Sequence, residues 1–364
     1  MIPRYLTRAN ALLVARGQQP VLAADIRGAD DQLRLLVDVL HVYGIAVMFD
    51  VVYNHAGGDF GDESLYFFDR VAYGNNNDSL YFTDQGWAGR GGLVFAYWNA
   101  SVRQFLIDNA VSLVTEFHVD GLRYDEVSVI DRYGGWRFCQ DLTGTMRSAN
   151  PAAVQIAEFW NAGLDAAVWP SSAGGAGFDL VWHAGLRDAV RSIIEQSAHG
   201  ANAFVNLEGV RDALAPPAGF DCGWRCVQML ENHDVLLTAH APQDRKPRGG
   251  RAVLVRSKSL ARCGQAPPHR SRHPDAVHGT GVLGGQTLER LSGRPDHLWD
   301  GLKRDRSMSD HLRFTRELIS VRRRLGALRR GRINVFHCHN PTRVLAFHRW
   351  IQEREAMRVH ASSW

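Results

Sequence analysis

Four short apolar segments recur along the 364-residue chain, and each of them runs into acidic, amide or histidine residues. The segments are IAVMFDVV (45–52), VDGLRY (119–124), VQIAEFW (154–160) and CVQMLENHD (226–234). Because an unpaired charge is costly inside a strand, charges at the end of each segment indicate strands that stop at a polar edge. The pattern therefore favours a parallel sheet with functional residues at the carboxyl ends of its strands.

The spacing of these polar residues agrees with alternating strands and helices. Asp125 and Glu158 are separated by about one strand–helix unit of chain, and Glu158 and Asp234 by about two. Asp50 and Asp125 are separated by one unit and an additional segment. Strands that end in polar residues at these separations predict a (β/α)8 TIM barrel with a site on its C-terminal face. A doubly wound α/β sheet is the alternative, but no glycine-rich phosphate loop stands where that fold needs one.

Two amphipathic helices are predicted between the first two of these segments. Residues 30–43 carry apolar residues at helical spacing after an N-cap predicted at Asp30. Asn99 caps the second helix, whose apolar stripe leads directly into 119–124. The region 56–98 has no helical period and is rich in glycine, asparagine and aromatic residues, so it predicts a long loop or a small inserted subdomain.

Composition and charge exclude several classes of protein. The chain is 45% hydrophobic and 22% charged, as in a soluble globular protein, and its net charge of +4 is small. No basic stripe interleaved with aromatic residues occurs before residue 240, which argues against nucleic-acid binding. ALLVA (11–15) is too short for a signal peptide or a membrane span, so a cytoplasmic protein is expected. The five cysteines show no CxxC pair, so neither a disulfide framework nor a zinc site is expected.

Four blocks of sequence then point to a family. DVVYNH (50–55), DGLRYDEV (120–127), AEFW (157–160) and ENHD (231–234) resemble, in order, the four signature regions of the α-amylase family of glycoside hydrolases and transglycosylases. The resemblance extends from about residue 25 to 240 and resumes at about 300 to 350. The amino-acid sequences of the first two blocks are most similar to those of the 1,4-α-glucan branching enzymes of that family. The resemblance implies a TIM barrel of the α-amylase type.

The resemblance also implies roles for three carboxylates. Asp125 falls on the nucleophile of the family, Glu158 on its general acid/base, and Asp234 on a third carboxylate that holds sugar hydroxyls. Retaining glycoside cleavage independently requires one carboxylate that attacks the anomeric carbon and a carboxyl group about 5 Å away that protonates the leaving oxygen. These two groups need opposite environments, which Arg123 beside Asp125 and the aromatic residues after Glu158 are suited to provide.

Further residues are predicted to bind the substrate or to support the site. Arg123 matches the arginine that keeps the nucleophile ionised, although an isolated Arg-x-Asp is more often a salt-bridged strand end. His55 and His233 match histidines that hydrogen-bond the sugar, and Asp50 matches a residue that supports the site from the third strand of the barrel. Asn54 belongs to the same support, and in some members of the family this asparagine binds calcium. No other metal or cofactor is expected.

Aromatic residues supply a second group of candidates. Tyr53 is predicted to contact the substrate, because aromatic rings stack on sugars. Others lie in the region 56–98, where they either stack on sugars or form the small core of that region: Phe67, Tyr81, Trp87 and Trp98.

The chain departs from the family pattern in two places. The family barrel has two strands and a helix before the segment at 45–52, so the barrel is expected to be incomplete at the N-terminus, and residues 1–20 match nothing recognisable. Residues 248–295 are rich in arginine, proline and histidine and have no apolar period. An out-of-frame reading of the gene is expected there, and a disordered basic linker is the alternative. The partial catalytic barrel is then predicted over 21–330.

The predicted pattern of elements returns near the C-terminus. Apolar residues at helical spacing predict a long helix around 314–328, similar to the last helix of the barrel. RINVFHCHNPTRVLAFHRW (332–350) predicts two strands. Residues 331–364 are therefore expected to be a truncated remnant of the C-terminal all-β domain of the family.

The function that follows is glycosyl transfer on α-1,4-glucan of the branching-enzyme kind, by a retaining double displacement. An α-amylase-type hydrolase would use the same carboxylates and differ only in the group that resolves the glycosyl-enzyme. An inactive glucan-binding or vestigial protein is the alternative from another class. Because strands are missing from the predicted barrel, little activity is expected of the chain.

Overall fold

The structure is a computed structural model in which the chain divides into two compact units, Met1–Val181 and Trp182–Trp364. The predicted boundaries after residues 20 and 330 do not coincide with this division, and they stay predictions. The segment 248–295 lies outside the residues that the structure describes, which are 2–56, 81–87, 92–220, 222–230, 232, 302–303, 306–330 and 332–351.

A parallel sheet organises the first unit. Four strands pair in the spatial order β1, β4, β5, β6, and the pairs with recorded register are parallel. Two further strands, β2 and β3, form an antiparallel hairpin inside the region predicted as an insertion. The strands are β1 (Met48–Val51), β2 (Phe82–Trp87), β3 (Gly92–Phe95), β4 (Gly121–Tyr124), β5 (Val154–Ala157) and β6 (Leu180–His183), whose first two residues belong to this unit.

The register of the sheet places the predicted polar residues at one level. Val51 pairs with Tyr124, and Tyr124 pairs with Ala157, so β1, β4 and β5 end together. Asp125 and Glu158 are the first residues after β4 and β5, and their amides still donate to the carbonyls of Val51 and Tyr124, at 2.9 and 3.0 Å. Neighbouring strands lie about 4.8 Å apart, so the register alone brings the two acidic residues together.

The first strand differs from its prediction. The apolar run 45–52 predicts a strand covered on both faces, but β1 has only four residues, and the flanking Ile45 and Val52 are 51% and 48% exposed. All four residues of β4, by contrast, are buried. The prediction of a doubly covered strand is therefore wrong for 45–52, whereas 121–124, whose pattern contains a charge, is buried along its whole length.

Five helices accompany the described sheet of the first unit: α1 (Ile2–Val14), α2 (Ala29–Val42), α3 (Ala100–Glu116), α4 (Val127–Arg132) and α5 (Trp136–Ala149). The predicted cap of α3 is confirmed, because the amide of Ser101 donates to Asn99 Oδ1 at 2.9 Å. The predicted cap of α2 at Asp30 is wrong. Gly28 occupies the N-cap position, and the side chain of Asp31 instead accepts the Arg27 amide at 2.9 Å.

Residues 1–20, which match nothing recognisable in sequence, contribute helix α1. Its buried face carries Leu6, Ala9 and Leu13, and these pack with Leu35 and Val39 of α2 in one apolar cluster. The side chain of Asn10 binds the chain that follows α1. Its Nδ2 donates to the carbonyl of Val21 and its Oδ1 accepts the Val21 amide, both at 2.9 Å.

The second unit contains the two predicted C-terminal strands, which form an antiparallel hairpin. One face of this hairpin carries Ile333, Val335, Leu345 and Phe347, which pack against apolar residues of two helices in the same unit. The long helix predicted around 314–328 is present but ends at Arg324, and a short helix follows. The elements are α6 (Gly185–Ser197), α7 (Glu208–Leu214), β7 (Cys226–Gln228), α8 (Arg306–Arg324), α9 (Gly326–Arg330), β8 (Arg332–His339) and β9 (Val344–Trp350).

In the part of the chain that the structure describes, none of the helices has the length and apolar character needed to cross a membrane.

Candidate active site

Arg123 stands at the centre of the site and contacts three carboxylates. It lies on β4 and is only 6% exposed. Its Nη1 donates to Asp50 Oδ1 at 2.6 Å and to Asp125 Oδ1 at 2.7 Å, and its Nη2 lies 2.6 Å from Glu158 Oε2. Burial acts to lower the pKa of Arg123, but the charges of Glu158, Asp50 and Asp125 outweigh burial and raise it.

Asp125 is also held by Asn54, from the turn after β1. The Nδ2 of Asn54 donates both to the main-chain carbonyl of Asp125 and to its Oδ2, each at 2.8 Å. Asn54 is completely buried, and its Oδ1 contacts the ring Nδ1 of His55. Each carboxylate oxygen of Asp125 thus accepts a hydrogen bond, one from Arg123 and one from Asn54.

The calcium expectation at Asn54 stays a prediction. The side-chain oxygen that would bind the ion is the one that His55 already contacts. Among the described residues, three or more His, Cys, Asp or Glu side chains do not come together in a group that could hold a metal ion.

Tyr97 fixes the turn that carries Asn54 and His55. Its hydroxyl donates to the main-chain carbonyls of Tyr53 at 2.7 Å and of Asn54 at 3.1 Å. Its ring is buried and stacks on Phe138 of α5, with 5.4 Å between the ring centroids. Sequence reasoning missed this residue, because a buried tyrosine between β3 and α3 resembles an ordinary core residue.

Glu158 is 4% exposed, and its carboxyl group accepts two hydrogen bonds and forms one ion pair in the described structure. The amide of Glu126 donates to Oε2 at 2.9 Å, and Arg123 Nη2 contacts the same oxygen. The indole Nε1 of Trp160 donates to Oε1 at 3.1 Å. Burial raises the pKa of Glu158 to about 7, assisted by the charges of Asp125 and Glu126 and opposed by Arg123 and by the Glu126 amide.

The amide of Glu126 reaches Glu158 because its backbone is left-handed, with φ 40° and ψ 53°. Few residues other than glycine adopt this conformation, and it costs on the order of 1 kcal/mol. The strained turn directly follows Asp125, so the same segment presents one carboxylate and supports the other. Strain of this kind is concentrated at functional sites.

Tyr53 is the predicted substrate-binding residue that the structure does not bring to the carboxylates. It is buried, its hydroxyl donates to Asn109 Oδ1 of α3 at 2.7 Å, and its ring lies 5.9 Å from that of Tyr124. The other predicted aromatics divide similarly. Tyr81 meets Phe105 edge-on, whereas the side chain of Trp98 is largely exposed. Phe67 and the side chain of Trp87 lie outside the described part of the chain.

His233 and Asp234 also lie outside the described residues, and their roles stay predictions. The structure therefore brings together six of the predicted site residues, all in the first unit: Asp50, Asn54, His55, Arg123, Asp125 and Glu158.

The contacts of Arg123 are more numerous than those of an arginine that only forms a salt bridge at the end of a strand. A structural ion pair needs one carboxylate for one arginine, whereas three carboxylates here share a single buried guanidinium group. One of these carboxylates has a pKa near neutrality, and another is held by donors at both oxygens. Two carboxyl groups with opposite environments are the arrangement used by retaining glycosidases, one as acid and one as nucleophile.

Comparison with known proteins confirms the resemblance to branching enzymes, although no protein-family model matches the chain. The chain is 33% identical over 189 residues to the 1,4-alpha-glucan branching enzyme GlgB of Leifsonia xyli subsp. xyli, a match that covers 46% of this chain and 25% of that enzyme. It is 33% identical over 198 residues to the GlgB of Corynebacterium glutamicum, covering 48% and 26%. The chain thus spans about a quarter of the length of these relatives.

Comparison with solved structures confirms the fold class. The α-amylase of Geobacillus thermoleovorans in complex with acarbose matches with a TM-score of 0.63 and 19% identity, over 90% of this chain and 68% of that one. The debranching enzyme of Nostoc punctiforme matches with a TM-score of 0.58 and 19% identity, over 92% and 68%. The parallel sheet fits the (β/α)8 barrel of these α-amylase-type proteins.

Proposed function

We propose that the protein transfers glycosyl units on α-1,4-glucan, as a branching-enzyme-like transglycosylase with a retaining mechanism. The observation that supports this function most strongly is that Arg123 joins two carboxylates in opposite environments, the hydrogen-bonded Asp125 and the buried Glu158. The names of the relatives in the comparison supply the substrate class. Because the chain covers only a quarter of those relatives, the activity and the substrate are both part of the proposal.

In the first half-reaction, Asp125 attacks the anomeric carbon of the glucan donor. The bond from that carbon to the glycosidic oxygen breaks, and its electron pair stays on the oxygen, which takes the proton of Glu158. The product is a glycosyl ester of Asp125 and a shortened glucan. Arg123 and Asn54 hold the carboxylate of Asp125 in place before the attack.

In the second half-reaction, a hydroxyl group of an acceptor glucan attacks the same carbon, and its proton passes to Glu158, now ionised. The ester bond breaks and Asp125 leaves as a carboxylate. Two inversions at one carbon give net retention. A pKa near 7 suits Glu158 for both roles, because near neutral pH it can give up a proton and take one back.

The same two carboxyl groups supply the acid, the base and the nucleophile, so we propose that the reaction uses no cofactor. We also propose a cytoplasmic protein that acts in the synthesis of a glycogen-like polymer. Five cysteines without paired spacing favour a reducing compartment, and a branched α-glucan is the product that transfer to a 6-hydroxyl would make.

Incubation of the protein with amylose tests this function. Branching lowers iodine staining and creates few new reducing ends, whereas an α-amylase-type hydrolase creates many, and a protein that only binds glucan changes neither. Asp125→Asn and Glu158→Gln should each abolish the loss of staining. Asp188→Asn is the matched control, because Asp188 is an exposed acid of the second unit whose recorded ion pair, among the described residues, is with Arg187. Loss of staining that persists in both site variants would refute the assignment.

A further inference from the structure

The two oxygens of Glu158 have different surroundings. Oε2 accepts the Glu126 amide at 2.9 Å and forms an ion pair with Arg123, whose Nη2 lies 2.6 Å away. Among the described residues, Oε1 has a single donor, the indole Nε1 of Trp160 at 3.1 Å. A proton on Oε2 would lie beside the positive charge of Arg123, whereas a proton on Oε1 would lie beside a neutral indole.

We propose that Glu158 carries its acid proton on Oε1, and that Trp160 is a positioning residue that holds this oxygen through its indole N–H. The proposal rests on the proposed function, because it concerns the acid/base of that reaction. It adds which oxygen meets the glycosidic bond and which side chain directs it there.

Trp160 is anchored independently of Glu158, as a positioning residue must be. Its main-chain amide donates to Ser128 Oγ of α4 at 2.6 Å, and the next residue, Asn161, donates to Asp131 Oδ2 at 2.8 Å. The side chain of Trp160 is 39% exposed, so the indole lies at the border between the buried glutamate and solvent. Oε1 is thus the oxygen of Glu158 that contacts a partly exposed side chain, whereas Oε2 contacts the buried Arg123.

The indole Nε1–H can donate a hydrogen bond but cannot accept one, so its bond to Oε1 must use a lone pair of that oxygen. That bond is stronger when Glu158 is ionised, because hydrogen bonds to charged groups exceed those to neutral groups. The charged groups that face Glu158 in the described structure are Arg123, Asp125 and Glu126, and none of them depends on the indole. Removal of the N–H should therefore destabilise the ionised form more than the protonated form.

Both half-reactions pass through this oxygen. Oε1 gives its proton to the glycosidic oxygen as the bond to the anomeric carbon breaks, and the proton of the acceptor hydroxyl later returns to Oε1. Between these steps Glu158 is a carboxylate, and the indole N–H stabilises the charge on Oε1. Trp160 also limits rotation of the carboxyl group, which keeps Oε1 aligned for each transfer.

Trp160→Phe tests the proposal, because phenylalanine keeps an aromatic ring and removes the N–H. The preference of a hydrogen bond for the charged over the neutral carboxyl corresponds to roughly one pH unit, so the alkaline limb of kcat/KM on amylose should move up by about that amount. We expect kcat at neutral pH to fall about tenfold and KM to change less than twofold. Trp169→Phe is the matched control, because Trp169 is 44% exposed and lies in the same unit.

A second variant separates loss of the N–H from a change in packing at position 160. Replacement of Trp160 by benzothienylalanine keeps the shape of the indole and exchanges its N–H for sulfur, and it should move the limb as Trp160→Phe does. An unmoved limb in both variants, or an equal movement in Trp169→Phe, would overturn the role of Trp160. If Asp125→Asn and Glu158→Gln remained fully active, the proposed function itself would fail, so the two failures are distinguishable.

Discussion

At the scale of single residues, the site depends on one guanidinium group. Arg123 contacts Asp50 and Asp125 through Nη1 and Glu158 through Nη2, with all three distances between 2.6 and 2.7 Å. The planar fork of arginine can meet carboxylates on two sides at once, whereas the ammonium group of lysine is a single point charge. The geometry of Asp125 and Glu158, the two carboxylates proposed to be catalytic, is therefore tied to the orientation of one side chain.

Arg123→Lys should lower kcat/KM on amylose by at least about 100-fold, the scale on which small misplacements act. The charge is retained, so a large loss would arise from geometry. Arg147→Lys provides the comparison, because Arg147 also pairs with an aspartate, Asp179 at 3.1 Å, on the same unit but at its surface. Rates close to those of the unsubstituted protein in Arg123→Lys would show that the three contacts only stabilise the fold.

The pH dependence of activity follows from Glu158. Its pKa is raised to about 7, chiefly by burial, so the protonated acid is present below that pH and is lost as the pH rises through it. The kcat/KM for amylose should therefore decline above about pH 7. The free energy of unfolding should also fall with rising pH, because the folded protein binds this proton more tightly than the unfolded chain does. This fall is expected between about pH 4.5 and pH 7. A constant rate from pH 6 to 9 would contradict Glu158 as the acid.

The sequence predicts which residues form the site, but it predicts only some of the hydrogen bonds and ion pairs between them. Strand ends and spacing indicate that Asp125 and Glu158 are neighbours, since parallel strands end at one edge. The Trp160 indole and the Glu126 amide were not assigned as donors to Glu158. Their directions depend on the left-handed turn at Glu126 and on the anchor of Trp160 at Ser128, and local conformations of this kind leave no clear pattern in sequence.

At the scale of elements, the turn after β1 is held from outside by Tyr97. Asn54 can bind Asp125 at two atoms only if this turn is fixed, and the Tyr97 hydroxyl binds two of its carbonyls. Through these contacts, the clamp formed by the Tyr97 hydroxyl connects the segment before α3 to Asp125, the proposed nucleophile. Any effect of Tyr97 on catalysis would act through Asn54.

Tyr97→Phe leaves those two carbonyls without their donor and should lower the free energy of unfolding by about 1–3 kcal/mol. It should also reduce kcat about tenfold with little change in KM, because the nucleophile loses its alignment. Tyr5→Phe is a suitable control, since the hydroxyl of Tyr5 also donates to a carbonyl, that of Gln32 at 3.0 Å, but does so between α1 and α2. Equal activity in the two variants would exclude a catalytic role for the clamp.

Helix α1 shows what a family resemblance can hide. Leu6, Ala9 and Leu13 have helical spacing, yet residues 1–20 have no counterpart in the family pattern, so the resemblance predicts no element there. The cluster with α2 shows that apolar periodicity alone would have been the better guide. The cap of α2 was missed for another reason, because Asp30, Asp31 and Gly28 are all acceptable near an N-terminus and sequence does not choose among them.

Leu13→Ala should destabilise the first unit by about 2–3 kcal/mol, because Leu13 is 5% exposed and its removal leaves a cavity in this cluster. The adjacent Leu12 is 43% exposed, so Leu12→Ala should change the free energy of unfolding by less than about 0.5 kcal/mol. Denaturant unfolding of both variants measures the difference. Equal effects would mean that α1 does not pack as described.

At the scale of the whole molecule, the structural match covers more of the chain than the sequence match does. Solved α-amylase-type structures match about 90% of the chain at 18–21% identity, whereas branching enzymes match about 47% of it at 33% identity. A barrel sheet tolerates wide substitution as long as buried strands and helices alternate, so fold was the more predictable property. Transfer and hydrolysis share every described catalytic residue, so the sequence motifs indicate the chemistry and leave the acceptor to experiment.

The central claim is that Asp125 forms a covalent bond to the sugar and Glu158 serves as its acid/base. The Glu158→Gln variant should be incubated with an α-maltosyl fluoride, digested and examined by mass spectrometry. Fluoride leaves without a proton, so Asp125 can still be glycosylated, and the missing base stalls the second half-reaction. The account predicts one maltosyl group on the peptide that contains Asp125, and none when Asp125→Asn is added. The absence of an adduct, or an adduct on another residue, would contradict it.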